Sequence, residues 1–218
     1  MTPQVLRHSW GLLLAALLTA LATVPGWAES YDDILQAVKV GDIATATQLL
    51  RSGMDINTVD ADGNTLLILA CREQNWAVAK ALLGFRPKLD SRNRYGETAL
   101  MLAAAKGSVD LVETLLERGA ALNHPGWTAL SYAAWAGQTG IVRLLLQRGA
   151  MINAESDNST TPLMMAVRGG HLETVLILLE FGADINHKNS SGGSALGWAI
   201  DTGNTDIAEL LIRAGAEE

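Results

Sequence analysis

The feature that most constrains this chain is a nine-residue segment that returns along its length. LLRSGMDIN (49–57), LLGFRPKLD (82–90), LLERGAALN (115–123), LLQRGAMIN (145–153) and LLEFGADIN (178–186) begin 33, 33, 30 and 33 residues apart, and LIRAGAEE starts a further 33 on, at Leu211. A second ladder keeps step with the first: TLLILA (65–70), TALMLA (98–103), TALSYA (128–133), TPLMMA (161–166) and SALGWA (194–199). A period of this size belongs to stacked units, each too small to bury its own apolar side, and not to one globular core.

Within each unit the residues read as two short helices. A Thr or Ser caps the first, whose Ala-rich face lets a neighbour approach closely. The second repeats its apolar residues every three or four positions, as in Val109, Val112, Leu115 and Leu116, and ends at Gly119, Gly149, Gly182 or Gly215, where a left-handed stop is expected. The pattern predicts an all-α solenoid of helix-turn-helix units of 33 residues whose connecting turns all project on one side.

These segments resemble the ankyrin repeat, marked by a Thr-Pro-Leu-His-x-Ala type of helix opening in a period of 33. The resemblance runs from Asp32 to Ala216 and departs from the pattern in one respect. The His of the opening is replaced by Ile68, Met101, Ser131, Met164 and Gly197, and the Pro survives as Pro162. The hydrogen bonds that the family's His makes between loop and helix are therefore expected to give way to apolar packing. The units are placed at 31–57 (an N-terminal capping unit), 58–90, 91–123, 124–153, 154–186 and 187–218. Asp32, Asp33, Gln36 and Lys39 at one end, and Asp206, Glu209 and Arg213 at the other, supply the polar outer faces that terminal repeats need.

The N-terminus reads differently. Arg7, the uncharged run Trp10–Val24 and the small residues of Gly26-Trp27-Ala28 form the pattern of a secretory signal over residues 1–28, cleaved after Ala28. A run of 15 apolar residues is short for a membrane span, which needs roughly 20. Domain 29–218 then has 218 − 28 = 190 residues and, without Arg7, 15 basic against 23 acidic side chains, a net charge of −8. That balance argues against nucleic acid and anionic membranes as partners. The single cysteine, Cys71, has no internal disulfide partner and reads as an inert core thiol.

One turn is shorter than the rest. From the Asn or Asp that closes a unit to the Thr or Ser that opens the next helix, the intervals 57–65, 90–98, 153–161 and 186–194 are eight residues, whereas Asn123 to Thr128 is five. The finger at His124-Pro125-Gly126 should be blunt, with Trp127 at its base. The period places Asn64, Glu97, Trp127, Thr160 and Gly193 at the inner edges of the fingers, and Arg72, Glu73, Ala105, Lys106, Trp135, Arg168 and Asp201 at the exposed ends of the first helices, the positions that the resemblance implies face a partner. Trp127, Trp135 and Tyr95 fall on one strip, which reads either as a partner's anchor or, with Trp135 packed on Trp127, as a plug for the missing residues. Arg92 and Arg94, beside Tyr95, read either as solvated charges or as steering an acidic partner, with Lys106 and Arg168 on the same face. Trp76, Tyr132 and Trp198 are expected to be structural.

Chemistry is sparse. His124, His171 and His187 fall in different units, and no spacing resembles a metal site or an activated nucleophile. No cofactor is expected. The reading is a monomeric, non-enzymatic module that binds a protein through Tyr95, Trp127, Trp135, Arg92, Arg94, Lys106 and Arg168. Similarity to exported bacterial ankyrin-repeat proteins implies a periplasmic location and a role in stress protection, such as accompanying a catalase, or in neutralising a toxin. An enzyme with its site on the same face is the alternative.

Overall fold

The computed structural model describes residues 25–217. The apolar run Trp10–Val24 of the expected signal lies outside them. The described residues form twelve helices and no strand: α1 (Pro25–Val40), α2 (Ile43–Arg51), α3 (Leu66–Arg72), α4 (Trp76–Leu83), α5 (Ala99–Ala105), α6 (Val109–Glu117), α7 (Ala129–Trp135), α8 (Thr139–Gln147), α9 (Pro162–Arg168), α10 (Leu172–Glu180), α11 (Ala195–Asp201) and α12 (Thr205–Arg213). Odd-numbered helices stack on one another as an inner row, even-numbered helices form the outer row, and each pair packs within its own unit. The point after Ala28 at which cleavage is expected falls in the first turn of α1.

The caps set where the inner helices begin. Thr65, Thr98, Thr128, Thr161 and Ser194 hold extended backbone, and each hydroxyl oxygen accepts the N–H three residues on, which starts the helix. Helices of seven residues are far below the roughly 12–15 at which an isolated helix becomes even marginal in water, so packing must hold them. In α3 every residue from Leu66 to Cys71 is buried. Ala70, Ala103, Ala133, Ala166 and Ala199 stand at one register of the inner row, all fully enclosed. The outer helices bury one stripe each, such as Leu111, Val112 and Leu115 of α6.

Two polar ladders lock adjacent units in register. The closing residue of each unit receives a backbone N–H from the next: Asn57 from Lys88, Asp90 from Ala121, Asn123 from Met151, Asn153 from Asp184 and Asn186 from Glu217, at 2.8–2.9 Å. In the turns between paired helices, the amides of Asn75, Gln138 and Asn204 donate to the carbonyls of Val38, Ala105 and Val167 in the preceding inner helix. His171 Nε2 meets the Trp135 carbonyl at the same register, 2.9 Å away. The absent family His is replaced largely as expected, since Ile68, Met101 and Met164 are buried. Ser131 instead pairs with the cap hydroxyl of Thr128 at 3.1 Å.

Two predictions follow from this packing. The helix stops at Gly119, Gly149, Gly182 and Gly215 have φ between +88° and +94°, but the same register in the second segment is Arg86, exposed and at φ +56°. A left-handed non-glycine residue costs about 1–2 kcal/mol, and glycine's extra chain entropy returns about half of that, so Arg86→Gly should raise stability by ~0.5–1 kcal/mol. Chemical denaturation checks it through an upward shift in midpoint at unchanged slope. Ala103→Leu should overpack the inner row and cost about 1–3 kcal/mol in the same assay. An unchanged midpoint for Ala103→Leu would show that this register is not the close contact.

Candidate protein-binding face

Each full-length finger closes around one polar side chain, the third residue after the closing Asn or Asp. Asp60 Oδ1 accepts the N–H groups of Asp62 and Asn64, and Asn93 Oδ1 those of Tyr95 and Glu97, all at 2.9 Å. Asn189 does the same for Ser191 and Gly193, and Ser156 Oγ accepts from Thr160. In the shortened finger this place falls to Gly126, which has no side chain to offer and turns at φ +79°. The finger is therefore a bend, and neighbours hold it. Arg92 donates to the Pro125 carbonyl at 3.4 Å, and the largely enclosed His124 places Nε2 3.9 Å from Asp90.

Shortening the finger shapes the surface beneath it. Trp127, Ser131, Tyr132 and Trp135 line a hollow of about 250 Å³, completed by Glu97 from the preceding finger and Met165 from α9. Trp135 is 52 % exposed, while Trp127 is half-buried and meets Tyr132 edge to face, with ring centroids 6.4 Å apart. A hollow remains between the two tryptophans and their neighbours, and the ring contact of Trp127 is with Tyr132.

Glu97 gives the hollow its polarity. Its Oε2 accepts from Asn93 Nδ2 at 2.7 Å, and Oε1 from the Tyr132 hydroxyl at 3.4 Å. Burial first, and then the charge and hydrogen bond of Glu97, push the Tyr132 hydroxyl up to about 12, so it stays protonated as the donor. Tyr132 thus packs partly buried against the core, as its register led one to expect, and also forms a wall of the hollow. Its register is held elsewhere by Leu69, Leu102, Met165 and Trp198, which hid the hydroxyl's use.

The other expected site residues separate into three groups. Tyr95 lies on the tip of its finger, 57 % exposed, with the Arg72 guanidinium 5.4 Å from its ring centre. Lys106 is exposed at the end of α5, and Arg168 is exposed but lies over the Trp198 ring at 5.6 Å. Arg94 is bound into the preceding finger, paired with Asp62 at 3.0 Å and donating to the Ala61 carbonyl. With Arg92 on Pro125, both arginines, read from the sequence as solvated charges or as steering an acidic partner, are occupied in joining fingers.

Asn64 and Thr160 were expected to face a partner, yet both are 1 % exposed. Asn64 Oδ1 accepts from Asn93 and Arg72, linking its finger to the next one and to the end of α3. Trp76 and Trp198 pack partly buried against the core. His171 and His187 bond to the carbonyls of Trp135 and Ser159, each joining two units. Cys71 is fully enclosed, and burial pushes its thiol up to about 12, the behaviour of an inert core cysteine. Among the described residues, no group of three or more His, Cys, Asp or Glu is placed to hold a metal ion. Among them, too, no helix is long and apolar enough to cross a membrane.

Known proteins agree with this architecture. A family model described as ankyrin repeats, in three copies, matches residues 34–125, 78–156 and 151–218. A probable E3 ubiquitin-protein ligase of rice (Oryza sativa subsp. japonica) is 36 % identical over 106 residues, covering 48 % of this chain and 20 % of that protein. The DNA replication inhibitor plutonium of Drosophila melanogaster is 38 % identical over 72 residues, 32 % of this chain and 41 % of that one. The chain thus spans a fifth to two fifths of the length of these two relatives. Among solved structures, the ankyrin repeat domain of human ASB11 superposes with a TM-score of 0.76 at 27 % identity, covering 84 % of each chain. The matched repeats extend over residues 34–218, and the chain belongs to the ankyrin-repeat family.

Proposed function

We propose that this chain is a non-enzymatic protein-binding module, acting in the periplasm after export, whose binding face is centred on the hollow under the shortened finger. The observation that carries the reading is the grouping of Trp127, Tyr132 and Trp135 around an open concavity. Aromatic side chains that remain accessible beside a pocket are the commonest anchors of protein interfaces, and a stack of repeats presents them on a rigid, extended surface. Tyr95 and Lys106 extend the face toward the N-terminal repeats, and Arg168 toward the C-terminal ones. Export rests on the residues before Glu29. The partner's identity decides the process: a protective enzyme would assign the chain to stress defence, a toxin to immunity.

The two tryptophans should separate binding from folding. Trp135→Ala removes an exposed ring and should cost less than ~1 kcal/mol of stability, whereas Trp127→Ala, half-buried on Tyr132, should cost about 1–3 kcal/mol. Replacing both should weaken a partner captured from periplasmic extract by at least ~2 kcal/mol. Denaturation and affinity measured on each variant check this, and a destabilised double variant whose folded fraction binds normally would contradict the binding role. Intact-mass analysis of the soluble periplasmic fraction should find a chain beginning at Glu29; a full-length chain retained in membranes would refute export.

A further inference from the structure

Internal arginines already lie over two rings, one on a finger and one on an inner helix. Arg72 lies over Tyr95, and Arg168, at the end of α9, lies over Trp198 of the following inner helix. The repeat register gives Tyr132 the place of Trp198, and the residue in the place of Arg168 is then Ala105. A methyl side chain cannot reach over the Tyr132 ring. Unit 124–153 therefore carries three rings, those of Trp127, Tyr132 and Trp135, with no arginine above them among the described residues.

Beside these rings stands a carboxylate, Glu97, that accepts from Asn93 and Tyr132, both neutral donors. Among the described residues Glu97 has no ion-pair partner. A carboxylate accepts at up to about four positions, so Glu97 retains capacity for a charged donor. The size of the hollow, about 250 Å³, is below the roughly 300–1,000 Å³ of pockets that enclose whole small molecules, and suits one long side chain. The whole chain is acidic, with a net charge of −7, which favours approach of a basic segment.

We propose that the hollow receives an arginine side chain of the partner protein, its guanidinium lying against the Trp127, Tyr132 and Trp135 rings and hydrogen-bonded to Glu97. A guanidinium is flat, weakly hydrated and forked, and so suits a site with aromatic walls and a carboxylate at one side better than a compact ammonium does. The inference rests on the reading of this hollow as the centre of the binding face, and it reverses the partner charge that steering by Arg92 and Arg94 would imply.

The test uses a blocked Gly-Arg-Gly peptide and its citrulline counterpart, which keeps the shape of the side chain and loses its charge. Each is titrated in millimolar excess into ¹⁵N-labelled protein while the indole N–H signals of Trp127 and Trp135 are followed. The arginine peptide should shift both signals saturably, and the citrulline peptide should not. Glu97→Gln, which keeps a hydrogen-bond acceptor for Asn93, should weaken the effect by about tenfold or more. Ala105→Arg, which supplies an internal guanidinium at the register of Arg168, should abolish it with the denaturation midpoint unchanged. No shift, or an equal shift from citrulline, overturns the proposal. If the peptide fails while a captured partner is still lost on Trp135→Ala, the arginine is wrong and the face stands. If the captured partner is indifferent to Trp135→Ala, the face itself is wrong.

Discussion

Inner helices of seven residues cannot exist unless something covers them on nearly every side, and the rest of the structure depends on that constraint. Burial of the whole of Leu66–Cys71, of the matching segments in α5 and α9, and of all but Tyr132 in that of α7, requires a neighbour above and below. Alanine recurs at the register where those neighbours meet because a longer side chain would hold the helices apart. Apolar packing of this kind tolerates sliding. The side-chain oxygen that each closing Asn or Asp offers to a backbone N–H about 30 residues on is directional, and it fixes where one unit sits on the next.

The same stacking explains why a three-residue deletion has a local effect. Asn123 keeps its bond to Met151, and Thr128 keeps its cap on α7, so the register survives on both sides of the shortened finger. What is lost is the closed polar loop that elsewhere occupies the space before the inner helix. Trp127 moves into part of that space and leans on Tyr132, and the remainder is the hollow. A defect in the repeat thereby becomes a concavity lined by three aromatic rings, next to a carboxylate delivered by the preceding finger.

The helices and their boundaries were legible because caps, alanines and stops recur at fixed intervals, and the blunt finger was legible as an interval of five among intervals of eight. Partners across units were harder to read. Arg92 and Arg94 look like free surface charges in the sequence, since nothing in SRNRYG shows that Asp62, Ala61 and Pro125 of adjacent fingers will receive them. Asn64 and Thr160 are polar residues in a turn, the kind normally solvated, yet the stacked fingers enclose both. Tyr132 was assigned to the core by its register, and its bond to Glu97 joins residues 35 apart that only the stack brings together. Arg86 departs from the repeat in the opposite sense, holding a glycine's backbone conformation without being one.

The central claim is that the missing finger residues uncover the binding surface. It is tested most directly by restoring them, replacing His124–Gly126 with the six residues Ser91–Gly96 of the preceding unit, which keeps Trp127, and measuring the affinity of the captured partner. The account predicts that the variant folds with a denaturation midpoint at or above that of the parent, because the period returns to 33, and that binding is lost as the hollow closes. A folded variant that binds its partner with unchanged affinity would contradict it.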